Sequence, residues 1–274
     1  DIILYNGLVK RVFRLKANIA CIDYTNMSNG QQLLRSIKPE ASIIINGRDY
    51  KVGGLIGQKE KAYLLPEWVD DFEAGKNDFV ITDYTISPIS AFVNWKSKTW
   101  YPQTKNPTGK MLNLHFQSPL PELKGLKVNV HYELYDGIPL IVKWVSIENT
   151  STNTYTLQRV VNELLGLVEE ESAVVGTPEQ MKKQHGIYVE TNYAFNNAMR
   201  YDISDQTTHW KIDSTYTSQV NYNYQTPCVL EVYPEKAKAV MLKPGELYKS
   251  VRTHELLMDS YDRERRGLAI RKMY

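Results

Sequence analysis

The 274-residue sequence holds only two cysteines, Cys21 and Cys228, in no metal-ligand spacing, which excludes a disulfide framework and a cysteine-based zinc site. Both are expected as buried thiols. No apolar run reaches the roughly 18 residues of a membrane span, so no transmembrane helix is expected. Charge of one sign is lacking as well. With 33 Lys and Arg against 31 Asp and Glu the formal net charge is +2, too small a global field to recruit nucleic acid or an anionic membrane. The five histidines, His115, His131, His185, His209 and His254, form no HExxH or His-x-His pair, so no metal is expected. GxGxxG, GxxxxGK[ST] and GxSxG are all missing, and Gly53-Gly54-Leu55-Ile56-Gly57 lacks the Lys-Ser/Thr of a phosphate loop and is read as a glycine-rich turn; no cofactor is expected. The sequence starts at Asp1 inside an apolar stretch with no charged and apolar leader, so an export signal was removed or was never there, and composition leaves the compartment open.

What is present is β structure on a large scale. At 42% hydrophobic residues the chain can bury an extensive core, and with no Pro/Gly/Ser-rich linker in its middle one domain is the better reading. Ser42 to Val52 forms two strand-like runs around Asn46-Gly47, residues suited to the positive φ angles of a type I′ turn. Leu126 to Glu148 holds two long strands joined at Asp136-Gly137, and Leu126, Val128, Val130, Tyr132 and Leu134 alternate with polar residues, giving one core face and one wetter face. Phe79 to Tyr84, Leu112 to Phe116, Thr154 to Val161, Ile187 to Thr191 and Ala239 to Leu242 are further strands. Leu157 to Glu171 fits a helical period but sits among strands and is read as strand; Pro178 to Gln184 is expected as a short helix capped by Thr177. So many strands point to an all-β sandwich of two large packed sheets.

Acidic pairs matter because glycoside hydrolysis uses two carboxylates flanking the sugar bond. Asp70-Asp71 and Glu169-Glu170-Glu171 are the obvious clusters, but neighbours on a strand point to opposite faces, and both runs are read as solvated. The stronger local signal is aromatic. Trp68, Trp95, Trp100 and Tyr101 crowd together among Asp70, Asp71, Asn94, Lys96 and Lys98, and flat rings beside hydrogen-bonding groups suit the faces and hydroxyls of a sugar. The competing reading is core or interdomain packing. Trp68, Asp70, Trp95, Lys96, Trp100 and Tyr101 are the expected carbohydrate contacts, with no catalytic or metal-binding residue among them. Tyr216, Tyr222 and Tyr224 are read as an ordinary loop.

The last stretch, from Leu242 to Tyr274, turns from strand to a charged helix with Asp259 or Ser260 as its cap and Asp262 favouring its positive end. No Gly, Asn or Pro closes it, so it is expected to lead into a following domain. Its Arg263, Arg265, Arg266, Arg271 and Lys272 are interspersed with Asp262 and Glu264 and are read as an interdomain helix face, not a phosphate-binding patch.

Several stretches together resemble the N-terminal domain of glycoside hydrolases of the α-galactosidase type: YNGLVKRVF and IDYTNMSNGQQLLR near the start, LKVNVHYELYDGIPLIVKWVSIENTS in the middle, and PGELYKSVRTHELLMDSYDRERRGLAIRKMY at the end. The middle stretch looks like that family's paired long strands ending in an Asn that opens a turn, here Asn149, and the closing helix resembles its link into a (β/α)8 barrel. The resemblance implies a galactose-mutarotase-like supersandwich over residues 1–256, a helical linker over 257–274, and a parent enzyme whose nucleophile and acid/base lie in the barrel. It also implies a bacterial secreted or periplasmic setting, with the barrel, carbohydrate and a second copy of the chain as partners. No residue of a catalytic motif has a matching position here.

Three readings follow. The domain is a non-catalytic accessory to a barrel, shielding or completing its substrate entrance; or it is a stand-alone lectin-like sandwich, for which the terminal helix folds back on the same domain; or it is a mutarotase-like epimerase, for which a histidine and a carboxylate meet on one sheet face, with His115 and His131 on suitable strands.

Overall fold

The computed structural model describes residues 1–59, 64–92, 107–170, 184–193, 206–213 and 228–274. Its strands are β1 (Ile2–Tyr5), β2 (Val9–Lys16), β3 (Asn18–Asn26), β4 (Gln31–Gln32), β5 (Leu34–Ser36), β6 (Ala41–Ile45), β7 (Arg48–Val52), β8 (Val80–Pro88), β9 (Gly109–Gln117), β10 (Leu126–Tyr135), β11 (Leu140–Asn149), β12 (Tyr155–Val161), β13 (Glu163–Leu167), β14 (Ile187–Thr191), β15 (Thr208–Ile212), β16 (Cys228–Val232), β17 (Val240–Leu242), β18 (Leu247–Lys249) and β19 (Thr253–Leu257), followed by one helix, α1 (Arg263–Met273).

Seven strands form the principal sheet in the order β14-β19-β11-β10-β9-β8, with β18 also paired to β11. The facing layer is divided by its hydrogen bonding into three four-stranded sheets, β1-β2-β3-β4, β17-β12-β6-β7 and β15-β16-β13-β5. One continuous apolar core joins them: Leu114, Val130, Val145 and Ile147 of the large sheet meet Phe13, Tyr24, Ile43, Leu157, Leu165 and Leu230 of the smaller ones. The alternation that marks β10 in the sequence is the alternation observed, Leu126, Val128, Val130, Tyr132 and Leu134 being buried while Lys127, Asn129 and His131 are not.

Turn chemistry sets the hairpins. Asn46 and Gly47 take φ angles of 49° and 80°, the left-handed pair that a type I′ turn between β6 and β7 requires. Of the stretch that fits a helical period, residues 157–161 and 163–167 are strand, in β12 and β13, because each finds an antiparallel partner in β6 and β16. The helix expected over 178–184 and the tyrosines at 216, 222 and 224 fall outside the described residues, Gln184 apart.

Buried charge pins the two layers together. Arg11 on β2 donates from Nη1 to Glu163 Oε2 on β13 at 3.0 Å and to Glu255 Oε2 on β19 at 3.1 Å. Lys143 on β11 donates to Glu163 Oε1 at 2.7 Å and to the Glu40 carbonyl at 2.6 Å. Tyr24 OH donates to Glu255 Oε2 at 2.9 Å, and Tyr132 OH donates to Glu40. The Arg11 guanidinium lies 4.9 Å from the ring centres of both Tyr24 and Tyr132. Burial, with Glu163 close by, drives the Glu255 carboxyl well above its usual range. Although burial acts against it, Glu163 is held down to about 2 by Arg11 and Lys143. The cations therefore hold Glu163 ionised, while burial and Glu163 push Glu255 towards its neutral form.

The helix cap differs from expectation. Asp262 Oδ1 accepts from Arg265 N at 2.9 Å, whereas Ser260 Oγ accepts from Asp262 N at 3.0 Å and Asp259 binds the Arg265 guanidinium at 3.0 Å. The serine turn carries the chain past Ser260 before the helix begins, so the capping role passes to Asp262. The helix folds back on the sandwich: Ala269, Ile270 and Met273 pack on Ile138, Leu140, Val142, Trp144, Leu256 and Met258. Lys272 Nζ donates to the Gly137 carbonyl at 2.8 Å, and Arg266 Nη1 to that of His185 at 2.8 Å. Two cations of the charged run thus cap carbonyls of the sandwich itself.

Candidate functional site

The face of the large sheet turned away from the core carries polar side chains in cross-strand rows. Register places Thr85 opposite Asn113, Asn113 opposite His131 and His131 opposite Trp144; the neighbouring row runs Asp83, His115, Asn129, Ser146, Lys249. These positions alternate with core residues, so the period of two that buries Val130 and Tyr132 necessarily presents Asn129, His131 and Glu133 on the other side. Above them is a cavity of about 570 Å³ whose lining includes Asn113, Asn129, His131, Glu133, Trp144 and Arg252.

Its centre is a stack. His131 and Trp144 lie face to face with ring centres 4.7 Å apart and planes 14° from parallel. The Arg252 guanidinium sits 3.9 Å from the Trp144 ring centre and 4.6 Å from that of Phe92, and it donates to Glu133. Phe92 is 61% exposed, leaving most of its ring open to a ligand at the rim.

His131, Glu133 and Arg252 are committed to neighbours. His131 Nδ1 meets Asn113 Oδ1 at 2.6 Å and Nε2 meets Ser146 Oγ at 2.8 Å. Burial, aided by His115, Arg252 and Lys249, lowers its pKa to about 4, so it is neutral at pH 7. Glu133 is raised by burial against the opposing pull of Arg252, and it also accepts from Tyr135 OH at 2.8 Å. A general base needs a free lone pair near the proton it takes. Here both imidazole nitrogens and the carboxylate already serve neighbours, an arrangement suited to holding hydroxyls.

The positions read from the sequence fall elsewhere. Trp68 lies in a short 3-10 turn, Pro66–Asp71, partly buried against Val12, Ala20, Ile22 and Phe72, and lines a separate cavity of about 350 Å³. Asp70 is exposed and paired with Arg14 at 2.9 Å and Lys16 at 3.7 Å. Trp95, Lys96, Trp100 and Tyr101 lie outside the described residues. Glu169 and Glu170, read as solvated, are partly buried and paired, with Arg35 at 3.1 Å and His185 at 2.5 Å. His115 and His131 do face the same cavity side as a carboxylate, Glu133. Sequence reasoning missed Asn113, Asn129, Glu133, Trp144 and Arg252; the signal was in the polar half of the alternation in LNLHF and LKVNVHYELY.

No family model and no curated protein matches the sequence. Solved structures do. An α-galactosidase from Lactobacillus brevis matches 100% of this chain over 41% of its own at a TM-score of 0.54 and 10% identity. A GH36 α-galactosidase from Geobacillus stearothermophilus, a double variant in complex with raffinose, matches 94% over 40% at a TM-score of 0.50 and 11% identity. A galactose mutarotase related enzyme from Lactobacillus acidophilus matches 96% over 99% at a TM-score of 0.43 and 10% identity. The chain spans about two fifths of the length of the α-galactosidases it matches. At these identities the likeness is one of fold: the chain is an all-β supersandwich that shares its fold with part of the α-galactosidases.

Proposed function

We propose that this chain is a non-catalytic N-terminal domain of a glycoside hydrolase and that it contacts carbohydrate through the outer face of its large sheet. The helix packed back on the sandwich is what the stand-alone lectin-like reading expects, and both readings share this carbohydrate face. The observation that carries the reading is the cavity of about 570 Å³ lined by the exposed Phe92, amides, a hydroxyl and a neutral imidazole, in which His131, Glu133 and Arg252 are already paired. Aromatic faces take the apolar side of a pyranose and fixed amides take its hydroxyls. The fold likeness to α-galactosidases supports the choice of sugar to test.

Calorimetric titration of the 274-residue chain with methyl α-D-galactopyranoside and with raffinose tests it. Saturable binding on the order of millimolar or tighter, lost in Phe92→Ala, is the expected result. Absence of binding to either sugar removes the carbohydrate role. A second reading, a mutarotase-like epimerase, is favoured by one observation: His131 and Glu133 line the same cavity two residues apart on β10. NMR of galactose anomer exchange separates the two, and acceleration over buffer that disappears in His131→Gln decides for the epimerase.

A further inference from the structure

Six side chains on the outer face close into one hydrogen-bonded circuit across β8, β9, β10 and β11. The Asn113 amide nitrogen donates to Thr85 Oγ1 at 3.2 Å, and Thr85 Oγ1 meets His115 Nε2 at 3.3 Å. His115 Nδ1 meets Asn129 Oδ1 at 2.7 Å, and the Asn129 amide nitrogen donates to Ser146 Oγ at 3.4 Å. Ser146 Oγ meets His131 Nε2 at 2.8 Å, and His131 Nδ1 returns to Asn113 Oδ1 at 2.6 Å.

The orientation of the two amides sets the sense of the bonds. The two asparagine oxygens can only accept, so each histidine carries its hydrogen on Nδ1. A neutral imidazole protonated there has a bare Nε2, so Thr85 and Ser146 each give their single hydroxyl hydrogen to a histidine and receive one from an asparagine. All six bonds run in the same sense around the circuit, the condition under which each polarises and strengthens the next. A second proton on either imidazole would turn the adjoining hydroxyl hydrogen out of the circuit. The charges around it come from every side: Asp83 opposite His115, Lys249 opposite Ser146, and Glu133, Glu148 and Arg252 in the cavity wall. They are mixed in sign and select neither an anion nor a cation.

We infer that this circuit is the pre-organised floor of the carbohydrate site, that it holds both histidines with a hydrogen on Nδ1, and that it takes an uncharged pyranose through the remaining amide hydrogens of Asn113 and Asn129. The inference rests on the carbohydrate reading above and adds what reads the sugar. Both asparagines line the cavity, and each has a second amide hydrogen besides the one used in the circuit. Because the amides are held at both ends, they pay no ordering cost when the ligand arrives.

The test has two arms. Long-range proton–nitrogen NMR of the uniformly 15N-labelled chain at pH 7, with His115→Gln and His131→Gln used for assignment, is expected to show both residues with hydrogen on Nδ1. A ring bare at Nδ1 at either position overturns the circuit whether or not sugar binds. Titration with methyl α-D-galactopyranoside and raffinose is then repeated on Asn129→Asp and Ser146→Ala, each expected to lose roughly tenfold in affinity, as one well-placed hydrogen bond represents. Binding equal to that of the unsubstituted chain in both variants overturns the floor while leaving the carbohydrate role standing. No binding by the unsubstituted chain, with the tautomers as expected, overturns the sugar-reading role together with the carbohydrate reading. Should a variant fail to fold, the tautomer arm on the unsubstituted chain still decides.

Discussion

Arg252 sits over Trp144, its guanidinium carbon 3.9 Å from the indole centre, while its nitrogen engages Glu133. A cation buried this far is held by a carboxylate and a π face together, and removing it strands Glu133 in a poorly solvated position. Arg252→Met is expected to cost about 3 kcal/mol in urea unfolding. The same substitution made with Glu133→Gln is expected to cost less than the sum of the two alone. Full additivity of the two in a double-mutant cycle would show that the pair is not coupled.

The interior cluster makes an asymmetric prediction. Glu163 is ionised between Arg11 and Lys143, so Glu163→Gln leaves two buried cations short of their counter-charge and is expected to destabilise by about 3 to 5 kcal/mol. Glu255 is pushed towards its neutral form by burial and by Glu163, and Gln is its neutral isostere, so Glu255→Gln is expected to change stability at pH 7 by less than about 1 kcal/mol. Denaturant unfolding of both variants measures this, and equal losses would show that the proton resides elsewhere.

The same groups set the acid response. Glu163 has its folded pKa lowered from 4.5 to about 2, so its contribution is present above 4.5 and is lost as pH falls from there towards 2. His131 is lowered from 6.5 to about 4: the unfolded chain takes up its proton first, so stability declines as pH falls from 6.5 to about 4 and then levels. The His131 part is expected to be no more than about 2 kcal/mol because the ring is only partly buried. Comparing unfolding of the unsubstituted chain with His131→Gln at pH 7, 5 and 4 isolates it. A difference between the two that stays flat across this range would exclude a depressed histidine.

Cys21 and Cys228 are both buried, and burial pushes each thiol up to about 12. A thiol needs exposure and thiolate character to react. Neither is expected to react with an aromatic disulfide reagent at pH 8 until denaturant is added, and both should react together at the unfolding midpoint. Rapid labelling of the native chain at either position would contradict the burial.

Much of the fold was readable because short-range chemistry dictates it. Asn46-Gly47 allows one kind of turn, and the apolar half of LKVNVHYELY can lie only against a core. The charged cluster was not readable, although Lys143 stands at an inward position between Ile141 and Val145. Its partners, at 40 and 163 and beside Arg11 and Glu255, come from strands whose neighbours no local pattern names. The site failed for the same reason. Periodicity assigns Asn113, Asn129, His131 and Trp144 to a face, yet which of them touch depends on the register of three strands. Aromatic crowding drew attention to Trp68, which the fold uses for packing, while the single Trp144 was hidden inside an unbroken buried run, Leu140 to Ile147.

On β10, Tyr132 enters the interior cluster while His131 and Glu133, its immediate neighbours, line the cavity. A slip of one residue against β9 or β11 that brings Tyr132 and Leu134 to the cavity would put the Glu133 carboxylate where Tyr132 meets Glu40. The dry half of this strand thereby proofreads the wet half: a misaligned hairpin cannot persist as a stable protein with a scrambled site, so recognition and foldedness are inherited as one trait.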